Sequence, residues 1–326
     1  MLMIEGLSLE SPMAEQRFLE AELGLRWQQV DPQELTRALR SDSPRALIVS
    51  DPNLYAEPLA DAPTGAAVVI QISDEGYSPE RRAMLDIPAV RSIFRHYAPQ
   101  AASKAQITSA IFGFAKDARN CDVPARSALP LYRSGSSVRA RMNTWPSAGY
   151  HNLPLGYTNA FAAAWDPAAA ANTDRAISVV FRGNRGLAPR IVGTAAALHM
   201  TDSQVTFVED HAWSGAGDQG SAYVQELTNA RFALVPPGFV NAETFRYYEA
   251  LRSGALPIEV NVALTHQGVI PFRTDATIRA HSWQRALSIA AAMPETERRS
   301  RVAAAQAAMD QAFTQARDQL VRSMEG

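Results

Sequence analysis

Arg246 and Glu249 stand three residues apart in ARFALVPPGFVNAETFRYYEALRSGALPIEV, residues 230–260, so on a helix they share one face. A guanidinium in that place can clamp a diphosphate through two parallel bonds, and a carboxylate can accept both hydroxyls of a ribose. The plainer alternative is an i,i+3 ion pair on a solvated helix, which is common and weak. The surroundings favour the chemistry. A strand runs into Pro236-Pro237-Gly238, and a helix is expected to open near Asn241 or Ala242, with Thr244 in its first turn. Gly254 ends that helix, and a new strand begins at Leu256-Pro257. Backbone N–H groups at such an opening form an anion site.

Two further stretches carry usable side chains. In ISVVFRGNRGLAPR, residues 177–190, a strand ends at Phe181-Arg182-Gly183 and turns into a helix. Gly183 permits close backbone approach, and Arg182, Arg185 and Arg190 put three guanidiniums near one loop. A surface turn with solvated arginines is the alternative. In QISDEGYSPE, residues 71–80, Asp74 and Glu75 follow a strand. Either carboxylate suits a general base, with Asp74 slightly ahead, and either also suits a turn or a helix cap. Arg95 and His96 follow the next strand, in IFRHY, residues 93–97, and a histidine there is more often structural than catalytic.

Other chemistries are excluded. His199, His211, His266 and His281 lack the spacing of metal ligands. The single cysteine, Cys121, rules out an internal disulfide or a cysteine-based zinc cluster and reads as a structural thiol. No Walker loop or GxSxG elbow is present. GAGDQG, residues 215–220, is separated from the preceding strand and reads as a flexible loop. Of Tyr247 and Tyr248, one ring is expected in the core and the other toward a ligand.

The elements that must position these groups are those of an α/β chain. Ala46–Ser50, Ala66–Ile72 and Val90–Tyr97 are short β-rich runs, and the first two, apolar without alternation, suit strands covered on both faces. Residues 177–184, 204–210, 231–238 and 255–260 repeat the pattern, with helices over 188–200 and 242–253 and an alanine-rich helical tail from Trp283 to Met324. Strand, helix, strand in this rhythm predicts right-handed crossovers and parallel sheets. The chain has 326 residues, 47% hydrophobic and 20% charged, a globular composition long enough for two domains. They are expected at 1–165 and 166–326, with the hinge near Pro167. Thirty-one basic against 33 acidic residues give a net charge of −2, which excludes the basic stripe that duplex nucleic acid requires. Only Lys104 and Lys116 are lysines; codon preference explains such a bias, but arginine is not interchangeable at bidentate anion sites. The N-terminus lacks a signal peptide's basic flank, and no run approaches the ~18 apolar residues of a spanning helix. A cytoplasmic protein is expected, with action at a membrane surface on a lipid-linked substrate left open.

The segment Arg246, Glu249, Ala250, Gly254, Pro257, Ile258 resembles, without a gap, the donor-binding pattern R-x-x-E-A-x-x-x-G-x-x-P-[VI] of exostosin-like glycosyltransferases. The ordered series S-D-E (73–75), F-R-x-Y (94–97) and P-L-G-Y (154–157) is similar to their ribitol-xylosyltransferase-like branch. The resemblance implies a GT-B fold, two Rossmann-like domains facing across a cleft, the terminal helix packing back on the N-terminal one. It implies an inverting transferase that moves a sugar from a nucleotide-diphosphate donor, a UDP-sugar favoured, to a glycan or lipid-linked glycan, without cofactor or metal. Glu249 then holds the ribose; Arg182, Gly183, Arg185, Arg190, Pro237, Gly238, Asn241, Thr244 and Arg246 complete the donor side; Asp74 or Glu75 is the base; Arg95 and His96 lie on the acceptor side. A GDP-sugar enzyme of the same fold and a two-lobed binding protein without turnover are the alternatives.

Overall fold

The computed structural model of the chain describes residues 3–72, 84–96, 149–171, 174–184, 188–208, 219–236, 243–260, 276–280 and 282–325. These fall into two compact units, one of residues 3–96, 149–159 and 310–325 and the other of residues 160–309. Each unit is α/β with a wholly parallel sheet.

In the first unit β1 (Ile4–Ser8), β2 (Leu25–Gln29), β3 (Arg45–Val49), β4 (Ala67–Gln71), β5 (Val90–Arg95) and β6 (Tyr150–Asn152) lie in the order β2-β1-β3-β4-β5-β6. Every residue of β4, and all of β3 but Arg45, is buried, as uninterrupted apolar runs require when both faces are covered. Leu47, Val49, Val69 and Ile93 pack on one face against Leu35 and Leu39 of α2 (Pro32–Leu39) and Leu59 of α3 (Ala56–Ala60). Asp31 starts α2 by accepting from the Glu34 amide at 2.7 Å, with Pro32 first in the helix. Phe18, from α1 (Gln16–Leu23), meets Tyr157 and Phe313 edge-on. β2 has a single interior neighbour and buries only Leu25 and Trp27, so its polar sequence gives little strand signal.

In the second unit β7 (Ile177–Gly183), β8 (Ser203–Phe207), β9 (Ala230–Leu234), β10 (Leu256–Val260) and β11 (Ile278–Ala280) lie in the order β11-β10-β9-β7-β8. The chain passes through α4 (Asn159–Ala164) and α5 (Pro167–Ala170) before β7. Pro167 is the first residue of α5, and Asp166 accepts from the Ala168 amide at 2.9 Å. Val179, Phe181, Phe232, Leu234, Leu256 and Ile258 form a core with Val192 of α6 (Ala188–Ala197) and Trp283 and Leu287 of α9 (Trp283–Ala292). The opposite face carries α7 (Gln219–Thr228) and α8 (Phe245–Arg252). The last helix, α10 (Glu295–Glu325), begins in the second unit and ends in the first, where His151 and Gln319 meet at 2.6 Å.

Two elements differ from expectation. α8 opens at Phe245, later than Asn241 or Ala242, because Thr244 is extended at φ −141°, ψ 152°. Gln219 and Gly220, read as part of a loop, are the first residues of α7. Gly254 does stop α8 in the left-handed region, at φ 75°.

The two sheets share one winding. From β1 the chain steps outward to β2 and then reverses to β3 on the other side; from β7 it steps to β8 and reverses to β9. Each reversal leaves a crevice beyond the carboxyl ends of two neighbouring strands, where parallel sheets bind ligands.

Candidate functional site

The crevice of the second unit lies beyond β7 and β9, and α8, the helix following β9, contributes Arg246 to it. Arg246 is 5% exposed. Its Nε donates to the Arg182 carbonyl at 2.9 Å, and its guanidinium carbon lies 5.3 Å from the Phe181 ring centroid. Gly183 completes the seat: a Cβ there would run into Arg246 Nη2 and come within 3.1 Å of Cζ. The two stretches singled out in the sequence therefore meet, and the strand ends in glycine because a guanidinium occupies the place of a side chain. At this position Arg246 stands beside the first turn of α8, where backbone N–H groups and the helix dipole favour an anion. Thr244, extended before that turn, has a buried hydroxyl with no hydrogen-bond partner among the described residues and gives the helix no side-chain cap.

Glu249, 3% exposed, follows Arg246 by less than one turn and accepts from the Tyr223 hydroxyl of α7 at 3.0 Å. Burial, and then the negative charge of Glu249, push the Tyr223 phenol well above its usual range, so it stays a donor. One Glu249 oxygen is thus fixed by Tyr223. Of the paired tyrosines, both rings are buried: Tyr248 donates to Glu243, and Tyr247 lies near Glu259 and Thr277.

Of the three guanidiniums expected near one loop, Arg182 and Arg190 can be placed, and each is held by a side chain of the protein itself. Strand side chains alternate, so Arg182 points away from Phe181 and Gly183 toward α7. There Glu226 takes its fork through both oxygens, at 2.8 and 2.6 Å, which raises the guanidinium pKa further. Arg190, 4% exposed, turns inward to the Asn184 side-chain oxygen. Arg182 and Arg190 brace the turn after β7. Arg185, Pro237, Gly238 and Asn241 lie outside the described residues.

The crevice of the first unit, between β1 and β3, holds a carboxylate of the chain itself. Glu10 accepts from the Ser50 amide at 2.8 Å, from the Asp51 amide at 3.3 Å, and from the Ser50 hydroxyl. Tyr55 stands behind it, taking the Leu9 amide at 2.9 Å; burial pushes its phenol up to about 12. Two strands away, Arg95 ends β5 at 3% exposure, and His96 follows at 1%. Burial, with the Arg95 charge second, pulls the His96 imidazole down to about 3, so the ring is neutral and a feeble base. Asp74 and Glu75 lie outside the described residues.

The comparisons with known proteins add little to this geometry. The chain aligns with a solved UDP-forming α,α-trehalose-phosphate synthase from Burkholderia xenovorans at a TM-score of 0.44 and 11% identity, over 93% of this chain and 88% of that one. No protein-family model and no curated protein matches the chain. Among the described residues, no helix is long and apolar enough to cross a membrane, and no group of three His, Cys, Asp or Glu is placed to hold a metal.

Three residues escaped the sequence reading. Tyr223 and Glu226 sit on α7, whose start was taken for a loop, and their partners lie 26 and 44 residues away. Glu259, last but one in β10, lies between Arg279 at 3.2 Å and Thr277 at 3.1 Å; burial nonetheless raises its carboxyl. Only the alternation in Leu256–Val260, with Ile258 in the core and Glu259 opposite, could have shown it.

Proposed function

We propose that the chain is an inverting GT-B glycosyltransferase that moves a sugar from a nucleotide-diphosphate donor, a UDP-sugar favoured, to a hydroxyl of a glycan or lipid-linked glycan, in polysaccharide or glycoconjugate synthesis. The observation that supports it most is the seating of Arg246 on Gly183 at the β7/β9 reversal, with Glu249 on the same helix. That arrangement offers a guanidinium and a helix opening to a diphosphate and a carboxylate to a ribose. In this reading the acceptor hydroxyl attacks C1 of the sugar, the bond from C1 to the diphosphate oxygen breaks, and the electron pair leaves with the diphosphate. Arg246 and the α8 amides stabilise the charge that develops there. Asp74 or Glu75 takes the hydroxyl proton. The first unit receives the acceptor and the second the donor.

A panel of UDP- and GDP-sugars, read by release of free nucleotide and by thermal shift, tests the reading. Stabilisation by UDP, with Arg246→Ala lowering nucleotide affinity at least tenfold, is the expected result. Stabilisation by GDP alone would replace the donor, and binding without release under any donor and acceptor would favour a non-catalytic protein. No nucleotide binding at all would sink the proposal.

A further inference from the structure

Gln71 is the last residue of β4 and is 2% exposed, yet among the described residues neither its side-chain oxygen nor its side-chain nitrogen has a hydrogen-bond partner. Its backbone is in order, the carbonyl accepting from the His96 amide at 3.2 Å. A buried amide left wholly unsatisfied is rare and costly, and each native instance asks for a missing partner. The place is also informative. In the parallel register Gln71 stands beside Val49 on one side and Arg95 on the other, and Arg95 stands beside Asn152. In-register neighbours point to the same face. The carboxyl edge of β4, β5 and β6 thus bears a row of amide, guanidinium and amide, on the edge where parallel sheets receive ligands. Glu10 occupies the crevice at the β1/β3 reversal, and among the described residues this row is a second set of polar groups on the same edge.

The chemistry of an amide narrows the ligand. Gln71 presents donors and an acceptor together. A carboxylate or phosphate would satisfy the nitrogen and set a negative charge against the oxygen; an ammonium would do the reverse. A hydroxyl donates and accepts, and two neighbouring hydroxyls match the two ends of the amide. We propose that Gln71 is a specificity-determining residue of the first unit, engaging one or two adjacent hydroxyls of a sugar ring that binds over the carboxyl ends of β4 and β5. The inference rests on the transferase reading, and identifies which group selects its acceptor. A site built around such a bond rejects the analogue lacking the hydroxyl far more strongly than shape alone would.

The full-length chain and its Gln71→Leu variant are titrated with the methyl glycosides of glucose, galactose, mannose and N-acetylglucosamine, with UDP and GDP titrated in parallel. At least one glycoside is expected to bind the wild type, with affinity falling tenfold or more in Gln71→Leu and in the deoxy derivative of that glycoside lacking the engaged hydroxyl. The variant should melt at or above the wild-type temperature, since an apolar side chain of similar volume replaces an unpaired amide, and nucleotide affinity should stay within twofold. Gln71→Met serves the same test if the leucine variant fails to fold. Equal glycoside affinity in wild type and variant would show that the amide is filled by buried water and overturn the proposal, as would failure of all four glycosides to bind the wild type. Loss of the transferase reading has a separate signature, a wild type that takes up a glycoside and neither nucleotide.

Discussion

Gly183 and Arg246 are 63 residues apart in sequence and share one small volume, so each constrains what the other can be. Gly183→Ala places a methyl where Arg246 Nη2 lies. Folding should suffer by only about 1 kcal/mol, because the tip of one side chain is what must give way. Nucleotide binding should weaken tenfold or more in calorimetric titration, because the displaced guanidinium is the group expected on the diphosphate; unchanged affinity would remove Arg246 from the site. Arg246 and Glu249 were legible because their relation is local, three positions on a helix, and Gly183 because glycine at a strand end has few uses. The partners of Arg182 were not legible. Nothing in FRG says which way Arg182 points until the register of β7 and the existence of α7 are known. His96 shows the same limit, since its burial, with the Arg95 charge second, decides its state. Its folded value near 3 lies below the ordinary 6.5, so between those values the unfolded chain takes up a proton that the fold refuses. Stability should therefore fall as pH drops from 6.5 toward 3, by up to about 1.4 kcal/mol per pH unit. His96→Gln should lose that component in urea melts at pH 7, 6, 5 and 4; identical slopes in both proteins would place the ring in water.

Helices and strands of the second unit are tied together by buried arginines that no motif reveals. Arg175, 8% exposed, donates to the carbonyls of Ala170, Ser253, Leu227 and Ala230 at 2.8, 2.8, 3.1 and 2.8 Å. It thereby closes the ends of α5, α7 and α8 and the start of β9. Burial, and then the charge of Arg298, pull its pKa down to about 10, so it keeps its charge at neutral pH. Arg175→Ala should cost on the order of 3 kcal/mol or more, because four carbonyls, most of them buried, lose a charged donor. Arg175→Lys should recover less than half of it, since an ammonium cannot reproduce a planar fork aimed at four acceptors; full recovery in urea midpoints would show that charge rather than geometry matters. The strands β3, β4, β7 and β10 were legible from their apolar runs. β1 and β2 were not singled out, since Gly6 interrupts one and Arg26, Gln28 and Gln29 dilute the other. α8 opens at Phe245, three or four residues after the expected Asn241 or Ala242, because Thr244 holds the extended geometry.

The two units wind their sheets alike, and sheet topology alone would give each a ligand crevice at its reversal, β1/β3 in one and β7/β9 in the other. Side chains break the equivalence. In the second unit the strand before the reversal ends in Gly183, with a guanidinium seated on it. In the first, Glu10 follows β1 and has already taken the Ser50 and Asp51 amides that an external anion would use. A chain of net charge −2 thus has one crevice with a buried guanidinium at its edge and one satisfied by its own carboxylate. The expected stoichiometry is one UDP per chain by isothermal titration, lost in Arg246→Ala and kept in Glu10→Ala. The latter variant should be less stable by about 2 kcal/mol, because two amides and a hydroxyl lose a charged acceptor. Two UDP per chain would mean that Glu10 yields its place to phosphate. One UDP that survives Arg246→Ala and disappears in Glu10→Ala would move the nucleotide to the first unit and reverse the assignment of donor and acceptor between the two sheets.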